Sequence, residues 1–64
     1  MNEADIKPFF NRRIKIRLKT GYFYNGKIIT ASNDALRFRD KFGTELLIAY
    51  DNIALIEVTN EALE

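Results

Sequence analysis

Leu46-Leu47-Ile48-Ala49-Tyr50-Asp51-Asn52-Ile53-Ala54-Leu55-Ile56 is the stretch on which the architecture turns. Two apolar runs flank a brief polar break, Asp51-Asn52. Each run is short enough for a strand, and neither alternates. Successive side chains of a strand point to opposite faces, so an unbroken apolar run needs cover on both sides. Strands are predicted over 44–50 and 53–58 on this basis.

Upstream the pattern is different. Over 13–19, Ile14, Ile16 and Leu18 alternate strictly with Arg13, Lys15, Arg17 and Lys19. That is period two, the mark of a half-buried strand. Thr20-Gly21 ends it with a turn. Residues 22–31 are rich in aromatic and β-branched types and read as a long second strand. Gly26 interrupts that strand, which points to a bulge, a sharp bend or a close backbone approach. Ser32-Asn33-Asp34 has turn composition. Residues 35–39 form a third strand, with Leu36 and Phe38 inward and Arg37 and Arg39 outward. Asp40-Lys41-Phe42-Gly43 is a tight turn in which Gly43 is available for positive φ.

Ahead of the strands, residues 5–12 read as a short helix, with Asp5 as N-cap and Pro8 in the first turn. Ile6, Phe9 and Phe10 fall on one side of it, facing an apolar surface. Residues 59–64 are polar and are expected to fray. The predicted fold is mainly β: a short N-terminal helix followed, over 13–58, by a five-stranded, strongly bent antiparallel barrel. The whole chain, 1–64, reads as a single domain.

A chain of 64 residues has a marginal core and normally relies on a disulfide, a metal or a partner subunit. There is no cysteine and no histidine, which removes disulfides, thiolate metal sites and the commonest general base. By elimination, self-association or very good packing is what remains. One barrel has one interior, so the second apolar face of strands four and five is expected to lie against a neighbouring copy. Leu47, Ala49, Ala54, Leu55 and Ile56 are the predicted interface residues. Contact of strand four with strand five of the next copy is head-to-tail, and such contacts close into rings where the rotation permits. No apolar run approaches the ~18 residues of a membrane span, and the first ten residues do not resemble a signal peptide. A cytoplasmic protein without a membrane partner is expected.

Net charge is +1, but the charges are unevenly distributed. From Arg12 to Arg39 lie Arg12, Arg13, Lys15, Arg17, Lys19, Lys27, Arg37 and Arg39 against the acid Asp34. From Asp40 onward lie Asp40, Glu45, Asp51, Glu57, Glu61 and Glu64 against the base Lys41. Such asymmetry marks an anion-binding face. It also arises when basic and acidic strands neutralise each other across a sheet.

Gly21-Tyr22-Phe23-Tyr24-Asn25-Gly26-Lys27-Ile28 resembles the first motif of the Sm, LSm and Hfq family, and Tyr50-Asp51-Asn52-Ile53-Ala54-Leu55-Ile56-Glu57 resembles the second. The preceding short helix matches as well. The resemblance implies a ring of several copies and single-stranded, often uridine-rich RNA held by the turns after strands two and four. On this chain those turns are Ser32, Asn33 and Asp34, then Tyr50, Asp51 and Asn52. The sequence departs from the family where an arginine and a glycine precede the second turn, since Ala49 and Tyr50 stand there. Asp51, repeated around a pore, would repel phosphate.

The candidate RNA-binding residues are Asn33, Asp34, Tyr50, Asn52, Arg13, Lys15, Arg17, Arg37 and Arg39. Tyr50 reads as a base-stacking ring or as an interface or core tyrosine. Asn33 and Asn52 read as base-edge partners or as turn residues bonding their own backbone. The arginine and lysine rows read as phosphate contacts or as a solvated face paired with Glu45 and Glu57. Phe42, at a hairpin tip, reads as a contact residue or as a ring folded back on its hairpin. Asp34, Asp40 and Asp51 all sit in turns, and no Gly-Lys-Ser/Thr follows the glycines. No catalytic activity, metal or cofactor is expected. The leading expectation is a homo-oligomeric Sm-like ring that binds single-stranded RNA. The rival is an Sm-like assembly module without RNA binding.

Overall fold

The structure, a computed structural model, describes residues 1–59 and opens on a capping box. Asn2 Oδ1 accepts from the Asp5 backbone N–H at 3.2 Å, and Asp5 Oδ2 accepts from the Asn2 N–H at 3.0 Å. These reciprocal bonds satisfy donors that a helix start leaves unpaired. Helix α1 therefore spans Glu3–Ile6, earlier than the expected 5–12, and its N-cap is Asn2 in place of Asp5. Lys7–Phe9 continue as a 3-10 helix with Pro8 near its start, and Asn11 ends the segment at φ 63°. Asparagine tolerates that left-handed geometry better than most residues.

Five strands follow: β1 Ile14–Leu18, β2 Phe23–Ala31, β3 Ala35–Asp40, β4 Glu45–Ala49 and β5 Ile53–Val58. They form one antiparallel sheet in the order β4-β3-β2-β1-β5. The turns carry the glycines where backbone geometry needs them, with Gly21 at φ 99° and Gly43 at φ 89°. Tyr50–Asn52 form a 3-10 helix in place of the last residue expected for strand four.

One face of the sheet carries the core. Ile14 and Ile16 from β1, Ile28 from β2, Leu36 and Phe38 from β3, Ile48 from β4 and Ile53 from β5 are all buried, together with Ile6 and Tyr50. Each such aliphatic or aromatic side chain is worth roughly 1.5–3 kcal/mol when removed from water. Phe9 and Phe10 pack against this cluster, so the N-terminal segment lies across the apolar face, as its sequence pattern requires.

The sheet cannot be flat. β4 and β5 are its opposite edges, four strand spacings apart, which is roughly 19 Å in a flat sheet. The chain from Ala49 to Ile53 spans at most about 14 Å even when fully extended, and here it is coiled as a 3-10 helix. The sheet must therefore curl until its edges approach at that end. Three irregularities accommodate the curl: a register shift between Arg17 and Leu18, another between Ile28 and Thr30, and the glycine at 26. A Cβ on Gly26 would lie 2.7 Å from Asp40 Cα and closer still to the Arg39 carbonyl oxygen. Of the three roles open to that glycine, the structure selects close approach of β2 to β3.

The expected closed barrel is corrected to a curled, open sheet. Among the described residues β4 pairs with β3 and β5 pairs with β1, and no ladder joins β4 to β5. Three residues between the two edges bring them near at one end only. The tail expected to fray lies, beyond Thr59, outside the described residues. Thr59 itself is tied down, its N–H and its hydroxyl both donating to the Arg13 carbonyl oxygen at 3.0 and 2.9 Å. Among the described residues no helix is long and apolar enough to cross a membrane.

Candidate nucleic-acid interface

The face of the sheet opposite the core is built by the second set of alternating residues. On β3 these are Arg37 and Arg39, on β2 Phe23, Asn25 and Lys27, and on β1 Lys15 and Arg17. Register decides which of them meet. Arg39 lies opposite Lys27 on one side and Glu45 on the other. Arg37 lies between Thr30 and Leu47. Lys15 lies between Asn25 and Glu57, and Arg17 between Phe23 and Leu55. Arg13, Arg17, Lys27, Arg37 and Arg39 are exposed, and Lys15 is half-buried.

Counter-charges are fewer. Arg39 Nη2 sits 2.8 Å from Glu45 Oε2, a pair largely in water and screened accordingly. The hydrogen bond from Arg39 holds the Glu45 carboxyl below its ordinary value, with the Arg39 and Arg37 charges adding to the effect. Across the other edge of the face, Lys15 has Glu57 opposite. Lys27 has a second cation opposite it, Arg39. Like charges directly across an antiparallel pair are destabilising, so this pairing costs the fold something. A groove of about 440 Å³ opens along this line, its floor made by Gly26, Ile28 and Ile29 and its cations supplied by Arg13, Lys27, Arg39 and Lys41 beside Asp40. Four cations around one groove are suited to a polyanion.

A second group gathers at another place. The Tyr50 N–H donates to the Asp34 carbonyl oxygen at 2.9 Å, and its phenol donates to the Ser32 carbonyl oxygen at 2.5 Å. The turns after β2 and β4 therefore touch. Asn33, Asp34 and Asn52 are exposed around this junction. The Tyr50 ring is not, since only 4% of the residue is accessible. Its role as a base-stacking ring is corrected to that of a core residue, one of the two readings its sequence left open. Burial, with the Glu3 and Asp34 charges nearby, pushes its phenol above the ordinary tyrosine value.

The structure thus splits the candidate residues in two. Lys15, Arg17, Arg37 and Arg39 share one face, and Arg13, just ahead of β1, lines the groove. Asn33, Asp34 and Asn52 cluster at the end of β3 where the strand begins, roughly 20 Å of strand from the hairpin that ends it. Lys27 and Lys41 were missed as site residues. Lys27 has the outward parity of β2, but only the register brings it against Arg39.

The predicted interface residues lie on the open edges. Leu47 is 75% exposed and Leu55 45%, and Ala49 and Ala54 are exposed as well. Ile56 differs, packing partly against the core. Among the described residues no group of three or more acidic side chains is placed to hold a metal ion. Compared with known proteins, the chain matches no family model and no curated protein.

Proposed function

We propose that this chain is a subunit of a homo-oligomeric, Sm-like ring that binds single-stranded RNA along the basic face of its sheet. The observation that carries the reading is Lys27 facing Arg39 across the β2–β3 ladder, within a field that includes Lys15, Arg17 and Arg37. Folding alone does not favour a cation opposite a cation. Glu45 pairs with Arg39 alone of the two, and a phosphate backbone laid across them adds counter-charge and releases its own bound cations on contact.

Self-association is supported by the edges. Among the described residues β4 and β5 are the unpaired margins of the sheet. Open strand edges template another chain. β4 of one copy meeting β5 of the next would extend the sheet and cover Leu47, Ala49, Ala54 and Leu55, with Ile56 supporting from behind. This order leaves strands four and five at the margins, where the Sm-like resemblance would put neighbours.

The rival reading is an assembly module without RNA. The turn at Tyr50-Asp51-Asn52 favours it, because the ring of Tyr50 is buried and Asp51 is an exposed anion. Gel-shift titration of the confirmed oligomer against short single-stranded RNA separates the two. Binding at low salt that weakens by a slope of about −0.7 per phosphate contact supports the proposal. A confirmed oligomer that leaves the RNA unshifted at low salt supports the rival.

A further inference from the structure

Phe42 is 82% exposed, yet it sits on a turn held by several hydrogen bonds. Asp40 Oδ1 accepts from the N–H groups of both Phe42 and Thr44 at 2.9 Å. The Asp40 N–H donates to the Thr44 carbonyl oxygen, and the Gly43 N–H to the Asp40 carbonyl oxygen. The Lys41 N–H donates to the Asn25 carbonyl oxygen at 2.8 Å, pinning the hairpin tip to β2. A large apolar ring held in water on a fixed turn gains nothing for the fold. It is pre-organised for contact with something else.

Beside it lies a cleft of about 250 Å³ lined by Phe23, Tyr24, Asn25, Asp40, Lys41 and Phe42. Phe23 is itself 53% exposed. An ammonium lies over each of the two exposed rings, Lys41 Nζ at 5.3 Å from the Phe42 centroid and Lys15 Nζ at 4.8 Å from that of Phe23. Asp40 and Lys41 line both this cleft and the basic groove, so the two adjoin.

We infer that the cleft between Phe23 and Phe42 takes one unpaired nucleobase of a nucleic-acid strand whose phosphates follow the adjoining basic groove. The inference rests on the RNA-binding reading and adds where a base is held. Four observations single out a base over an apolar peptide side chain. The cleft is smaller than the ~300–1,000 Å³ of ordinary small-molecule sites, which suits a single planar ring. Its rim carries cations, which suit the phosphates on either side of a base. Asn25 offers an amide, able to donate to and accept from a base edge. The acid present, Asp40, already accepts two backbone N–H groups through Oδ1. Stacking of this kind is tolerant of base identity, because every base has a π face.

The test uses the full chain with two probes: a short fluorescein-labelled single-stranded RNA and inorganic polyphosphate, which carries charge but no base. Phe42→Ala is expected to weaken RNA binding about tenfold, a loss within the range of one stacked base. Polyphosphate binding, the salt slope and the melting temperature stay unchanged, since so exposed a ring supports neither fold nor charge. Phe42→Tyr retains affinity. A 2-aminopurine reporter in the RNA is quenched by the wild type and less by Phe42→Ala. The inference is overturned if Phe42→Ala and Phe23→Ala both leave RNA affinity intact while Lys27→Glu weakens it, an outcome that spares the RNA-binding reading. Equal losses for RNA and polyphosphate overturn it too. If the wild type shifts no RNA, the RNA-binding reading falls first and this inference with it.

Discussion

The phenol of Tyr50 donates to the carbonyl oxygen of Ser32 across 18 positions of sequence, so the 3-10 turn after β4 is stapled to the turn after β2. The bond lies at the one end of the sheet where the curl brings both edges together.

Tyr50→Phe removes that bond and leaves the ring in place. The expected cost is about 1 kcal/mol, the net worth of an ordinary hydrogen bond. That corresponds to a fall of roughly 5 °C in melting temperature for a domain of this size. RNA affinity is expected to be unchanged, because the ring is buried away from the basic face. There is also a pH signature. The folded-state pKa of Tyr50 is raised above its unfolded value, so the associated stability is complete below the ordinary tyrosine pKa of 10.0 and is lost as pH rises through the folded value. Urea melts at neutral and strongly alkaline pH compare the two proteins. A wild type and variant that lose stability in parallel at high pH would count against the assignment.

Gly26→Ala tests the curl. The added methyl would fall within 2.7 Å of Asp40 Cα and press on the Arg39 carbonyl oxygen, both backbone groups with nowhere to turn. β2 and β3 would have to separate, at a cost of about 3 kcal/mol or more. Equilibrium urea denaturation is the measurement, and a midpoint within error of wild type would show that the strands do not approach so closely.

Lys27→Glu separates folding from binding. It replaces a cation opposite Arg39 with an anion, converting a repulsive cross-strand pair to an attractive one. Stability is expected to rise by about 0.2–1 kcal/mol, while RNA affinity falls and its salt slope becomes shallower by roughly one or two phosphate contacts. Calorimetry and salt-titrated gel shifts read the two effects. Destabilisation together with unaltered RNA binding would remove the main support for the basic face as a nucleic-acid surface.

Leu47→Lys tests the edge. The side chain is 75% exposed on β4, so the fold of one chain is expected to stay within about 0.5 kcal/mol. A charge on an apolar strand edge blocks strand addition. Sedimentation velocity is expected to show a wild-type oligomer and a folded Leu47→Lys monomer. A wild type that sediments as 7.5 kDa at all concentrations would refute association through these edges.

Much of the fold could be read directly from local pattern. The strict alternation of 13–19 assigned inward Ile14 and Ile16 and outward Lys15 and Arg17 correctly, because strand period and burial of one face leave a single solution. Gly43 was read as a positive-φ position from its place after Asp40-Lys41-Phe42, and it has that geometry. The helix start was misread because Asn2 and Asp5 cap each other, and either alone could have been the cap. The candidate site was less legible. Tyr50 was ambiguous because its fate depends on where the Ser32 carbonyl oxygen lies, 18 residues earlier. Lys27 and Lys41 were passed over because nothing local to either shows that Arg39 lies across from one and Phe23 near the other.

What the sequence determined by itself was the parity of each strand, the places where the chain turns, and the surplus of apolar residues on the last two strands. These follow from side-chain direction and backbone geometry, which act over a few residues. The tertiary structure decided the register, the curl and the open edges. Those depend on which strands lie side by side, and so on contacts between residues tens of positions apart. The cation facing a cation, the aromatic cleft at the hairpin tip and the unpaired margins of β4 and β5 all belong to that second class.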